Sequence, residues 1–210
     1  MKKNCTEVVF VLDRSGSMCG LEKDTIGGFN SLINKQKKQD GEVLVSTVLF
    51  NDSSVVIHDR KPIDEVRLMT NKDYEVYGCT ALLDALGSSI RHIGNIHKYA
   101  RVEDVPEHTM FVIITDGMEN ASRYYSKERV KSMIEYEKEK YGWEFLFLAA
   151  NMDVIDTASQ YGIDKDHAVN YQCDSVGTRL NYEVLDEAIQ CICSGVPLSK
   201  SWKSKIEKRK

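Results

Sequence analysis

The residues with the most chemistry to offer lie in three short segments. Asp13-Arg14-Ser15-Gly16-Ser17 gathers one carboxylate and two hydroxyls, Thr80 follows Gly78-Cys79, and Thr115-Asp116-Gly117 supplies a second carboxylate. Asp13 brings charge and Ser15 and Ser17 bring neutral oxygens, while Gly16 permits the tight turn that lets both hydroxyls converge. Taken singly, Thr80 reads as a helix cap and Asp13 as a strand-end carboxylate with a local turn role. The segments are far apart in the chain, so they form one set of oxygen ligands only if the fold brings their loops together.

The flanking patterns are suited to that task. Asp13 follows the apolar run Glu7 to Leu12, and Asp116 follows the run Thr109 to Thr115. Further β-branched runs cover Val43 to Phe50, Val55 to Ile57 and Trp143 to Ala149, with a short one at Ala168 to Tyr171. Helical patterns occupy Asp24 to Gln39, Ala81 to Tyr99, Ser126 to Lys140, Val154 to Tyr161 and Tyr182 to Cys193. This alternation predicts an α/β fold with a mostly parallel sheet covered by helices on both faces. Asn51 to Ser54 reads as a turn, which makes the edge strand antiparallel. In an open sheet of this kind ligands bind at the carboxyl ends of the strands, where Asp13 and Asp116 fall, and Thr80 sits at a helix start.

Composition sets the outer limits. A chain of 210 residues with 42% hydrophobic side chains, 13 Gly and 3 Pro has a buried core and fits one domain. Its net charge of -4 conceals an asymmetry, because residues 200–210 hold five Lys and one Arg against one Glu. The rest carries 22 basic and 31 acidic side chains, which argues against a broad phosphate-backbone interface and hence against nucleic acid as the partner. Residues 1–199 are expected to form the domain and 200–210 a flexible basic tail. The opening apolar stretch is short and is cut by Asp13 and Arg14, so it reads neither as a signal peptide nor as a membrane span. Six cysteines without dense spacing fit reduced thiols in a cytoplasmic protein, and Cys191 and Cys193 read as helix-packing residues.

Other motifs offer less. Gly27-Gly28 lacks the spacing of a phosphate-binding loop, and His92 and His97 are five apart rather than four. His58 and His167 are isolated. Glu119 and His108 are the bases a hydrolytic reading would invoke, although Glu119 also suits a solvated rim and His108 a strand boundary. Tyr74, Tyr77 and Cys79 approach the threonine loop and could frame a rim. Arg14 and Met18 should point away from the ligand oxygens, with Arg14 able to tune an acidic partner by charge.

Together the D-x-S-x-S pattern at 13–17, Thr80 and T-D-G at 115–117 resemble the von Willebrand factor A domain with its metal-ion-dependent adhesion site. The resemblance spans roughly residues 5–195. Gly27-Gly28-Phe29-Asn30 and Thr115-Asp116-Gly117-Met118-Glu119-Asn120 look more narrowly like bacterial intracellular members. It implies a three-layer, open, Rossmann-like sheet. It also implies a divalent ion bound directly by Ser15 and Ser17, with Thr80 direct or through water and Asp13 and Asp116 through water or close by. Two carboxylates only offset a dication, so the ion retains Lewis acidity and an exchangeable position toward solvent. Mg²⁺ is the expected ion, with Mn²⁺ a substitute, and the expected ligand is an Asp or Glu of a protein partner. The alternative is a metal-dependent hydrolase acting on a phosphorylated or other small substrate.

Overall fold

The apolar run ahead of Asp13 forms the central strand of a six-stranded sheet in the computed structural model, which describes residues 1–209. The strands are β1 (Lys2–Asp13), β2 (Glu42–Phe50), β3 (Ser54–Pro62), β4 (Pro106–Thr115), β5 (Glu144–Ala149) and β6 (Ala168–Asn170). Their spatial order is β3-β2-β1-β4-β5-β6. Among the described residues only the β2–β3 pair is antiparallel, as the Asn51 turn predicts. The chain leaves β1 toward β2 on one side and later returns to place β4 on the other. That reversal opens a crevice at the carboxyl ends of β1 and β4.

Helices α1 (Glu22–Gln36), α2 (Leu82–Tyr99), α3 (Lys127–Tyr141), α4 (Val154–Gln160), α5 (Ser175–Cys193) and α6 (Ser204–Glu207) cover the sheet. The two-residue period of β1 divides the core. Val8, Phe10 and Leu12 pack toward α1 and α5, whereas Val9 and Val11 pack toward α2, α3 and α4. A central strand buried on both faces has no polar side to show, which is why its sequence reads as a continuous apolar run. The result is the expected three-layer α/β arrangement. Among the described residues no helix is long and apolar enough to cross a membrane.

Three features differ from the sequence expectations. β1 begins at Lys2 rather than Glu7, because Lys2 N–H donates to the Val105 carbonyl at 2.6 Å and the strand pairs on to Pro106. Glu7 itself is fully buried, held by Arg60 Nε at 2.8 Å and His97 Nε2 at 2.7 Å. α5 begins seven residues before Tyr182, where the Asp174 carboxylate caps it by accepting from Gly177 N–H at 2.7 Å. Its first two turns place Gly177, Thr178 and Asn181 at buried positions, so no apolar period marks them.

The basic tail is corrected most. Residues 200–203 form a helical turn leading into α6, and Trp202 and Ile206 are buried in the core under α5. Lys203 reaches back to the carbonyls of Lys165 and Ala168 at 2.7 and 2.8 Å. The expected flexibility was read from charge, whereas two apolar side chains four residues apart decide the outcome. Lys210 lies outside the described residues.

The α1–α5 contact generates a paired prediction. A Cβ on Gly28 would lie 2.2 Å from the Tyr182 ring, whereas one on Gly27 would meet nothing within 4 Å. Gly28→Ala should therefore destabilise by about 1–3 kcal/mol. Gly27→Ala should stabilise by up to about 1 kcal/mol through helix propensity. Urea unfolding of both variants checks the contrast in sign.

Candidate metal centre

β1 delivers Asp13 to the crevice, and the chain turns sharply there. Ser15 N–H donates to Asp13 Oδ1 at 2.7 Å, and Thr115 Oγ1 donates to Asp13 Oδ2 at 2.5 Å from the neighbouring end of β4. The Tyr74 hydroxyl donates to the Asp13 carbonyl. Pairing of Leu12 with Ile114 aligns the two strands so that both carboxylate-bearing loops emerge at the same level.

The hydroxyls close the gap between those loops. Thr80 Oγ1 donates to Ser15 Oγ at 3.0 Å, Ser15 Oγ and Ser17 Oγ lie 3.0 Å apart, and Ser17 Oγ donates to Asp116 Oδ1 at 2.5 Å. All five residues singled out in the sequence therefore meet. Gly117 is part of the reason, since a Cβ there would stand 2.9 Å from both Ser17 Oγ and Thr80 Oγ1 and fill the space between them.

Thr80 is held by two neighbouring turns. Gly78 has a φ of +78°, which L side chains rarely adopt, and a Cβ there would stand 1.9 Å from Asp52 Oδ2. Cys79 N–H then donates to Asp52 Oδ2 at 3.1 Å, and Ala81 N–H to the Asn51 carbonyl at 2.8 Å. Asn120 accepts from Thr80 N–H at 2.9 Å through its side chain and returns its own N–H to the Thr80 carbonyl at 3.0 Å.

Charge is concentrated and unbalanced in this cluster. Asp13 and Asp116 are only 1% and 2% exposed, while Ser17 opens to solvent. Burial pushes the Asp13 carboxyl above the usual range, the bonds from Thr115 and Ser15 oppose that shift, and the Asp116 charge adds to it. Among the described residues neither carboxylate forms an ion pair with Lys, Arg or His. No group of three or more His, Cys, Asp or Glu suited to a metal occurs among them either. The set is instead two carboxylates and three hydroxyls, an all-oxygen array suited to a hard cation.

The remaining candidates take other places. Tyr74 is buried beneath Asp13, whereas Tyr77 and Cys79 are exposed at the rim. Met18 is buried, and Arg14 is tucked in with its guanidinium 5.6 Å from the centre of the Tyr77 ring. Glu119 is neither a free base nor a simple surface charge. It accepts from Leu83, Ala121 and Ser122 N–H groups at 2.8, 3.0 and 2.8 Å and from Ser122 Oγ at 2.8 Å, capping the start of α2. His108 lies within β4 opposite Thr6, about 20 Å down the strand from the cluster. His58, His92 and His97 bond to Thr47, Asp59 and Glu7. His167 sits 3.5 Å from Glu144.

Sequence reasoning missed three contributors. Thr115 was visible in the motif but not as a donor, Asn120 not as the clasp on Thr80. Cys173 Sγ donates to Asp116 Oδ2 at 3.1 Å from the loop after β6. No sequence signal joins positions 57 residues apart.

Glu119→Ala should cost about 1–3 kcal/mol in urea unfolding, because three part-buried N–H groups lose their acceptor. Glu119→Gln, which keeps one carbonyl oxygen, should recover part of that loss.

No family model matches the sequence, and neither does any curated protein. Solved structures do match the fold. The vWF domain of the type V pili tip protein Mfa5 from Porphyromonas gingivalis aligns at a TM-score of 0.65 and 11% identity, over 92% of this chain and 97% of that one. A von Willebrand factor type A protein from Catenulispora acidiphila aligns at 0.57 and 12%, over 88% of this chain and 42% of that one. Proximal thread matrix protein 1 from the mussel byssus, in a form with a zinc-occupied adhesion-site motif, aligns at 0.60 and 15%, over 90% and 47%. This chain thus spans less than half the length of the latter two. Sheet order, layering and these likenesses agree that the chain has the fold of a von Willebrand factor A domain.

Proposed function

We propose that this domain binds a divalent ion through Asp13, Ser15, Ser17, Thr80 and Asp116, and that the ion engages an Asp or Glu of a protein partner. One observation carries the reading: two buried carboxylates share a hydroxyl network and, among the described residues, pair with no cationic side chain. A dication would balance their charge while leaving a position for an acidic ligand. The oxygen-only donor set favours Mg²⁺, with Mn²⁺ as a substitute. The metal-occupied neighbour supports a divalent ion in this fold.

The surroundings suit a protein surface. Tyr77, Met118 and Tyr124 are 53, 67 and 80% exposed on loops at this end of the sheet, and such side chains are enriched at interfaces. The commitment of Glu119 to backbone N–H groups leaves hydrolysis without the base it would use. A cytoplasmic location belongs to the same proposal, supported by six free thiols.

Titration with Mn²⁺ and capture from native cytosol test the reading together. Asp116→Ala should weaken Mn²⁺ binding roughly 10- to 100-fold. A partner should be retained by wild type in Mg²⁺ and lost in EDTA or with Asp116→Ala. Equal retention in every arm would move the binding surface away from this site.

A further inference from the structure

The loop between β6 and α5 reaches the cluster from a direction none of the three motifs supplies. Cys173 lies on it with Sγ 3.1 Å from Asp116 Oδ2, the oxygen that Ser17 leaves free. Asn151, two residues beyond β5, donates to the backbone carbonyl of the same aspartate at 3.3 Å. Asp116 is thereby held at its main chain by one neighbour and at its carboxylate by two.

The residues on either side of Cys173 are both fastened to the C-terminal segment. Arg209 makes a two-pronged bond to Asp174, with Nη1 2.8 Å from Oδ1 and Nη2 2.7 Å from Oδ2. Gln172 Nε2 donates to the Arg209 carbonyl at 2.9 Å. Contact here is close enough that a Cβ on Gly177 would lie 1.9 Å from the Gln172 carbonyl oxygen and 3.0 Å from Arg209 Nη1. Upstream of Arg209, Trp202 Nε1 donates to the Asp166 carbonyl at 2.9 Å, and Lys203 binds the carbonyls just before β6. The terminal segment therefore runs as a strap from the entrance of β6 to the loop at its exit.

We infer that Cys173 is a positioning residue that orients the Asp116 carboxylate for metal binding, and that the C-terminal strap holds it in place through Arg209. The inference rests on the metal-site reading above. A thiol fits this role because it donates one hydrogen bond without adding charge. Asp116 Oδ1 then faces Ser17, and the carboxylate is ordered before an ion arrives, which lowers the cost of binding.

Mn²⁺ titration of the full chain, followed by the electron paramagnetic resonance of the free ion, tests this. Cys173→Ala should raise the Kd about tenfold, the scale of one hydrogen bond to a charged group. Cys173→Ser, which keeps a donor, should stay within about twofold of wild type. Arg209→Ala should weaken binding about threefold, and Arg209→Ala combined with Cys173→Ala should be no weaker than Cys173→Ala alone, because both act through one contact. Melting in EDTA confirms that each variant is folded at the titration temperature. Unchanged or tighter binding by Cys173→Ala, failure of the serine to rescue, or additive losses in the double variant would each overturn the inference. If Asp116→Ala binds Mn²⁺ like wild type, the metal-site reading falls first; if it loses binding while Cys173→Ala and Arg209→Ala retain it, the inference alone falls.

Discussion

Two carboxylates out of water at one end of an apolar sheet are the constraint around which this molecule is arranged. Removing a charged group from solvent is costly, and a second like charge nearby adds to the cost. The chain meets this by surrounding Asp13 and Asp116 with donors: a backbone N–H of Ser15, the hydroxyls of Thr115 and Ser17, and the thiol of Cys173. These donors come from three separate stretches. Sheet order brings these loops to one end, and the bonds to the carboxylate pair tie them together there.

The same strand shows the alternative solution. Glu7 and Asp13 lie an even number of residues apart on β1 and face the same side of the sheet. Glu7 is fully buried too, yet Arg60 and His97 bind it directly. That carboxylate is matched from within and serves the fold, fastening β1 to β3 and α2. Among the described residues Asp13 receives only hydrogen bonds, which disperse its charge without cancelling it. One strand therefore carries an internally balanced carboxylate midway along its length and an unbalanced one at its end, and the unbalanced one faces the crevice.

Much of this was legible from the residues. Runs of Val, Ile and Phe gave the buried strands, the Asn51 turn gave the antiparallel edge, and the three loop motifs named the cluster. Illegible features share a cause: buried positions filled by polar or small side chains, or contacts between distant segments. The first turns of α5 bury Gly177, Thr178 and Asn181, so hydrophobic periodicity starts only at Tyr182. Trp202 and Ile206 are two apolar residues among lysines, and their burial depends on a surface formed by α5 that local sequence does not describe. Cys173 reads as an ordinary loop cysteine until the order β4-β5-β6 brings its loop beside Asp116.

The pairing of Leu12 with Ile114 acts as a ruler. Side chains alternate between faces, so one residue added to β1 or β4 would turn that strand's whole apolar set over and carry its terminal loop about 3.3 Å out of step. Residues added at the opposite ends of the strands, in loops such as 100–105 that take no part in the cluster, would leave the register intact. Descent of this chain should therefore leave a lopsided record of length change, frozen in the two central strands and freer at the far rim.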